Sequence, residues 1–179
     1  MLITDDYREQ NAQLHRETKW GESGQHSADI VLAAFEILGI KDMLDYGCGR
    51  GTLKSTLKKI GLPNKIYEYD PAIPGKDTMP QPADFVTCTD VLEHVEPECI
   101  EAVLDHLYEL TNRYAFFIIS CKEASRKLPD GRNAHILVRP PDWWIKRLEN
   151  HGYEIMNHYT VNDKNGMLRE VRVWLKKPS

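Results

Sequence analysis

The chain has 179 residues, 41% of them hydrophobic and 28% charged, enough for one domain to bury a proper core without metal or disulfide staples. A formal net charge of −4 gives no general attraction to nucleic acid or anionic membrane, and no apolar stretch is long enough to cross a bilayer. Cys48, Cys88, Cys99 and Cys121 form no Cys-x-x-Cys pair and the start is polar and acidic, so a reduced, cytoplasmic compartment without a secretion signal is expected.

Residues 1–22 read as a polar, aromatic N-terminal segment broken at Trp20-Gly21, ahead of a single domain over 23–179. Ile30, Val31, Ala34, Phe35, Ile37 and Leu38 make a helical stripe over Ser27 to Leu38, stopped by Gly39. Lys41 to Tyr46 follows as a first strand, Thr52 to Ile60 as a helix closed by Gly61-Leu62-Pro63, and Lys65 to Tyr69 as a second strand. Pro71, Pro74, Gly75, Pro80 and Pro82 make the next stretch a loop. Phe85 to Cys88 is a short strand, Pro97 to Leu110 a helix with proline in its first turn, and Tyr114 to Ser120 the most apolar strand, expected to be buried on both faces. Lys122 to Arg139 is irregular and basic. Asp142 is expected to cap a helix to Asn150, and Tyr153–Val161 and Leu168–Leu175 are expected to pair around Asn165-Gly166.

Alternation of strand and helix argues a parallel sheet with helices on both faces, and the closing hairpin adds antiparallel strands at its end. The most informative segment joins the first strand to the following helix: Asp45-Tyr46-Gly47-Cys48-Gly49-Arg50-Gly51. Glycines there let the backbone come close to a ligand at the carboxyl end of a strand, where open α/β sheets keep cofactors. Dinucleotide binders favour Gly-x-Gly-x-x-Gly; here Thr52 stands where the last glycine would fall, which counts against a nicotinamide cofactor.

Three segments in order resemble a class I S-adenosylmethionine (SAM) dependent methyltransferase. Leu44 to Gly51 resembles the family's first motif, Asp70 after Tyr67-Glu68-Tyr69 resembles the acid that takes the ribose hydroxyls, and Ala83 to Val95 resembles the motif beside the transferred methyl. The resemblance implies a Rossmann-like, doubly wound, mostly parallel sheet with a C-terminal antiparallel hairpin. Only residues 71–83 separate Asp70 from Asp84, so the helix after the second strand is expected to be lost and the third-strand region shortened.

What the resemblance implies for the site follows. SAM would be held by Asp45, Tyr46, Gly47, Cys48, Gly49 and Gly51 at the turn, by Asp70 and Pro71 at the ribose, by Asp77 facing the adenine amino group, and by Thr89, Asp90 and Val91 near the methyl. S-adenosylhomocysteine is the product. His135, Glu93 and His94 are the candidates for handling the acceptor as catalytic groups, and no metal is assigned. Glu93 and His94 could equally be packed or solvated, and Asp90 could simply cap a turn.

Asp90, Glu93, His94 and His135 also resemble the metal site of small-RNA ribose 2′-O-methyltransferases, which would make the protein a divalent-metal enzyme acting on RNA. The other alternative is a SAM-binding protein without catalysis. Lys122, Arg126, Lys127, Arg132 and Arg139 outnumber Glu123 and Asp130 in the basic loop, which either draws in an anionic acceptor or serves solubility. Trp20, with Tyr7 and His15, either belongs to a lid over SAM or packs ordinarily. One of Trp143 and Trp144 should be core, since neighbouring helical positions point apart. The acceptor is expected to be a small molecule, sugar or nucleotide rather than nucleic acid, and the protein a monomer or homodimer.

Overall fold

The computed structural model describes residues 1–62 and 65–178; Pro63, expected to help stop a helix, lies outside them. Thr4 opens α1 (Asp5–Glu17): its hydroxyl accepts from the Tyr7 amide, Asp5 and Asp6 sit in the first turn, and His15 and Arg16 lie in the last. The polar segment read from the sequence thus contains a helix whose buried residues, Tyr7, Asn11 and Leu14, are too few to show as an apolar stripe. α2 (Ala28–Leu38) ends at Gly39, in the left-handed region at φ 59°.

The alternating core then runs β1 (Asp42–Tyr46), α3 (Thr52–Lys59), β2 (Lys65–Tyr69), β3 (Ala83–Thr89), α4 (Ile100–Leu110), β4 (Thr111–Ser120), α5 (Pro141–Asn150), β5 (Glu154–Asn162) and β6 (Leu168–Lys176). One six-stranded sheet has the order β2-β1-β3-β4-β6-β5. The first four strands are parallel, with Leu44 opposite Val86 and Val86 opposite Ala115, and β6 and β5 join antiparallel. Between β2 and β3 the chain makes only turns and bends, so β2 is a sheet edge: as expected, no helix follows it, and the shortened third-strand region forms no strand among the described residues.

Period-two alternation sends neighbouring side chains to opposite faces. Met43, Phe85 and Phe116 pack with Val31, Leu53 and Leu57 on the side of α2 and α3. Leu44, Val86 and Phe117 pack with Leu104, Leu107, Trp144 and Leu148 on the side of α4 and α5. β3 is buried along its whole length and β4 from Ala115 to Ser120, as a strand covered on both faces requires.

Two expectations change in detail. Asp142 does not cap α5: Pro140 holds the cap position without a side-chain bond and Pro141 occupies the first turn, where its missing amide costs nothing. α4 begins at Ile100, after a turn over Pro97 to Cys99. Trp144 is fully buried, whereas Trp143 packs beneath the guanidinium groups of Arg139 and Arg147. The last hairpin closes through Asp163, whose Oδ1 accepts from Asn165 and Met167 amides, with Gly166 at φ 77°.

Candidate active site

The carboxyl ends of β1 to β4 open into a cavity of about 810 Å³, within the range of small-molecule sites. Its floor is the turn after β1. The Gly47 and Cys48 amides both donate to the Tyr69 carbonyl, at 2.8 and 3.0 Å, which ties the turn to the end of β2. Gly49 has φ 51°, and a Cβ there would come within 2.5 Å of the Gly21 carbonyl oxygen. This glycine is required by backbone packing against the segment after α1, a contact the sequence did not reveal.

Asp70 closes β2 and is 7% exposed. Its Oδ2 accepts from the Gly49 amide and its Oδ1 from the Ala72 amide, both at 3.0 Å. Each oxygen keeps a further lone pair for a ligand hydroxyl. Asp45 lies under the turn, accepts from the Thr87 hydroxyl at 3.1 Å, and has its pKa pushed up to about 7 by burial.

On the opposite side stand two imidazoles. His94 Nδ1 lies 2.7 Å from the Ala134 carbonyl, and His135 Nδ1 bonds the Lys122 carbonyl. Carbonyls only accept, so each Nδ1 carries the hydrogen and each Nε2 keeps a lone pair. Burial pushes the His94 pKa down to about 3, helped by His135, and lowers that of His135. The rings meet edge to face at 4.7 Å, and Trp20 packs on His94 at 4.9 Å.

Most of the expected residues come together around this cavity. Asp45, Tyr46, Gly47, Cys48 and Gly49 line its floor, with Asp70 and Pro71 at one side and Thr89, Asp90, Val91, His94 and His135 at the other. Asp90 is a non-glycine residue at φ 56°, strain that directs its carboxyl toward the Ser23 hydroxyl.

Three expected residues do not line it. Asp77 is exposed and accepts from the Gly75 amide at 3.1 Å, because the tight turns after Asp70 carry it away from the crevice. Gly51 lies outside, against the Glu68–Lys76 ion pair. Glu93 is fully buried behind the histidines: Oε1 accepts from the Ser120 amide at 3.0 Å and Oε2 has no hydrogen-bond partner. Burial, with Asp90 nearby, raises its pKa well above the ordinary value, and its side chain does not line the cavity. Glu93, His94 and His135 nonetheless offer ligand atoms within 4.8 Å of one another. A carboxylate oxygen and two imidazole nitrogens whose other N–H groups are donated to carbonyls form a donor set that suits a divalent transition metal; Asp90 lies outside it.

The sequence left the N-terminal segment as either a lid or ordinary packing. Leu2, Ile3, Tyr7 and Asn11 line the cavity from above. Glu96 accepts from the Thr4 amide and hydroxyl at 2.8 and 2.7 Å, and the Tyr7 hydroxyl donates to the His94 carbonyl at 2.6 Å. At the other end Arg50 donates to the His15 and Thr18 carbonyls, both at 2.6 Å. The helix start at Thr4-Asp5-Asp6 was the available signal.

A family model described as a methyltransferase domain matches residues 12–169. Comparison with curated proteins gives no match. Among solved structures, the fold is similar to a 1,6-didemethyltoxoflavin N1-methyltransferase of Burkholderia thailandensis with S-adenosylhomocysteine bound, at TM-score 0.68 and 16% identity over 96% of this chain and 87% of that one. It is also similar to the N-methyltransferase NodS of Bradyrhizobium japonicum in complex with S-adenosylhomocysteine, at TM-score 0.67 and 12% identity over 97% and 100% of the two chains. A magnesium protoporphyrin IX methyltransferase of Synechocystis matches at TM-score 0.63 and 18% identity, over 86% of this chain and 83% of that one.

Proposed function

Because the chain belongs to the methyltransferase domain family, we propose that its cavity binds SAM and transfers the methyl group to a small-molecule acceptor, releasing S-adenosylhomocysteine. The observation that carries this reading is the joint between Asp70 and Gly49, which fixes an acid with free lone pairs beside a glycine turn at the carboxyl edge of the sheet. Asp70 receives the ribose hydroxyls, the turn holds the amino-acid part, and Asp45 orients its ammonium, directly or through water. Thr89, Asp90 and Val91 border the methyl.

The acceptor's lone pair attacks the methyl carbon in line, the carbon–sulfur bond breaks, and its electrons go to sulfur. The protein supplies position and exclusion of water, worth ~7–11 kcal/mol when geometry is good. His135 Nε2 accepts the acceptor's proton, and His94 orders the wall beside it. α1 and the segment to Glu22 form the roof and act as a lid over the cofactor, while residues 23–179 form the domain.

An anionic acceptor is favoured by Arg126. It lines the cavity, and its backbone carbonyl accepts from the Ala134 amide beside both histidines. Lys122 and Arg132 of the same loop are paired with Asp163 and Asp130. No helix among the described residues is long and apolar enough to cross a membrane, and we place the reaction in the cytoplasm.

The buried, unpartnered Oε2 of Glu93 favours a second reading, in which Glu93, His94 and His135 hold a divalent cation. Such an ion would polarise an acceptor oxygen. An acceptor with adjacent hydroxyls, such as an RNA 3′ end, belongs to this reading.

Incubation of the protein with methyl-labelled SAM and fractionated cell extract tests the proposal. Label should appear in a product of small-molecule size. Stoichiometric SAM binding with no labelled product from any fraction would leave a binding protein without catalysis.

A further inference from the structure

We propose that Lys76 is a positioning residue for the cofactor turn, and that Gly51 is glycine to make room for the ion pair Lys76 forms. The inference rests on the assignment of SAM to this turn and adds a part that assignment does not need.

Lys76 comes from the loop that stands where the sheet lacks its third strand. Asp70 N donates to the Lys76 carbonyl at 2.9 Å, and Lys76 N donates to the Ile73 carbonyl at 3.0 Å. These two bonds fold residues 70–76 into consecutive tight turns that send the lysine back under the glycine turn. Its Nζ donates to the Gly49 carbonyl at 3.1 Å and to Glu68 Oε1 at 3.1 Å. Glu68 Oε2 is held in turn by Lys54 Nζ of α3, at 3.1 Å.

Gly49 is therefore gripped from both sides. Its amide hydrogen goes to Asp70 and its carbonyl oxygen to Lys76. Each bond fixes one of the two peptide planes that meet at this residue, and a turn that must present main chain to a ligand needs both orientations set in advance. The lysine side chain is 23% exposed and Glu68 16%, so the pair is partly shielded from water and firmer than a surface bridge.

Gly51 adds an independent observation. It does not line the cavity. A Cβ on Gly51 would stand 2.1 Å from Glu68 Oε1 and 2.6 Å from Lys76 Nζ. A side chain there would push the ion pair aside, and the φ of 77° by itself already favours glycine at this position.

Lys54 supplies the control, because Lys54→Met breaks the other half of the Glu68 bridge without touching Gly49. Calorimetric titration with SAM should show Lys76→Met weakened about tenfold, the size of one lost charge-assisted hydrogen bond. Lys54→Met should stay within about twofold of wild type. Gly51→Ala should weaken binding, and adding Lys76→Met to it should cost less than in the wild-type background, since both changes disturb one contact. Melting temperatures separate lost affinity from lost fold, and Lys76→Arg, which keeps charge and donors, should recover part of the loss.

Wild-type affinity in Lys76→Met, or equal weakening in Lys54→Met, would overturn the inference. Additive losses in the Gly51→Ala and Lys76→Met pair would overturn the role given to Gly51. Failure of the wild-type protein to bind SAM is a separate result, which removes the cofactor assignment itself and this inference with it.

Discussion

Cofactor affinity should rise steeply between pH 5 and pH 7, and Asp45 is the cause. The carboxyl is 3% exposed beneath the glycine turn, and burial pushes its pKa up to about 7. The Thr87 hydroxyl and Lys76 pull it down, while Glu68 and Asp70 add to the rise. In the empty protein Asp45 is therefore mostly protonated below neutrality. An ammonium bound beside it favours the ionised form and draws the pKa back toward the ordinary ~3.9. Between those two values binding must expel one proton, so affinity gains up to about tenfold per pH unit, or ~50-fold from pH 5 to 7, since at pH 7 about half of Asp45 is already ionised. Above about pH 8 the cofactor's own amino group loses its charge, and affinity should fall again.

The same group acts on folding with the opposite preference. Its folded pKa lies above the unfolded one, so the unfolded chain loses the proton first. Stability should decline as pH rises from about 4 to about 7, by up to ~4 kcal/mol from this residue. Asp45→Asn keeps the shape of the neutral acid. It should flatten the acid limb of the binding profile, weaken SAM binding at pH 8, and raise the melting temperature of the empty protein there. Calorimetry in buffers of different ionisation heat counts the protons released. A flat affinity from pH 5 to 7 with no proton released would refute the placement of the ammonium at Asp45.

Three further outcomes are expected. Asp70→Ala should weaken SAM binding by at least ~1–3 kcal/mol in calorimetry, because the Gly49 and Ala72 amides lose their acceptor along with the ribose; unchanged affinity would remove the sugar from this acid. His135→Ala should leave SAM affinity unchanged and slow transfer by ~10²–10⁴-fold in a labelled-methyl assay, and normal transfer would return His135 to a packing role. If Glu93, His94 and His135 hold a metal, activity should vanish with a chelator and return with manganese, while Glu93→Gln should lose metal binding by calorimetry; activity indifferent to chelator ends that reading.

The sheet was legible because its signals are local. β3 and β4 are apolar runs, Gly39 stops α2, and Asn165-Gly166 marks the last turn. α1 was less legible, since only Tyr7, Asn11 and Leu14 of its residues are buried and the rest is polar. The motif segments placed Asp45, Gly47, Gly49, Asp70 and Asp90 around one crevice, because a strand end and its following turn fix where such residues point.

Asp77, Gly51 and Glu93 do not line the cavity, for a different reason. Asp77 and the Lys76 that packs on Gly51 belong to a loop that refolds where a strand is missing, and Glu93 depends on which way a short turn after β3 faces; neither is encoded in spacing. Lys76 was illegible for the same reason: its partner, the Gly49 carbonyl, lies 27 residues away and becomes a neighbour only once β1 and β2 pair.

A crystal structure of the protein grown with S-adenosylhomocysteine tests the central claim most directly. The account predicts the nucleoside in the crevice after β1, with its ribose hydroxyls within hydrogen-bond distance of Asp70 and its amino group beside Asp45. The ligand bound elsewhere, or that crevice filled by the protein's own side chains at saturating ligand, would contradict it.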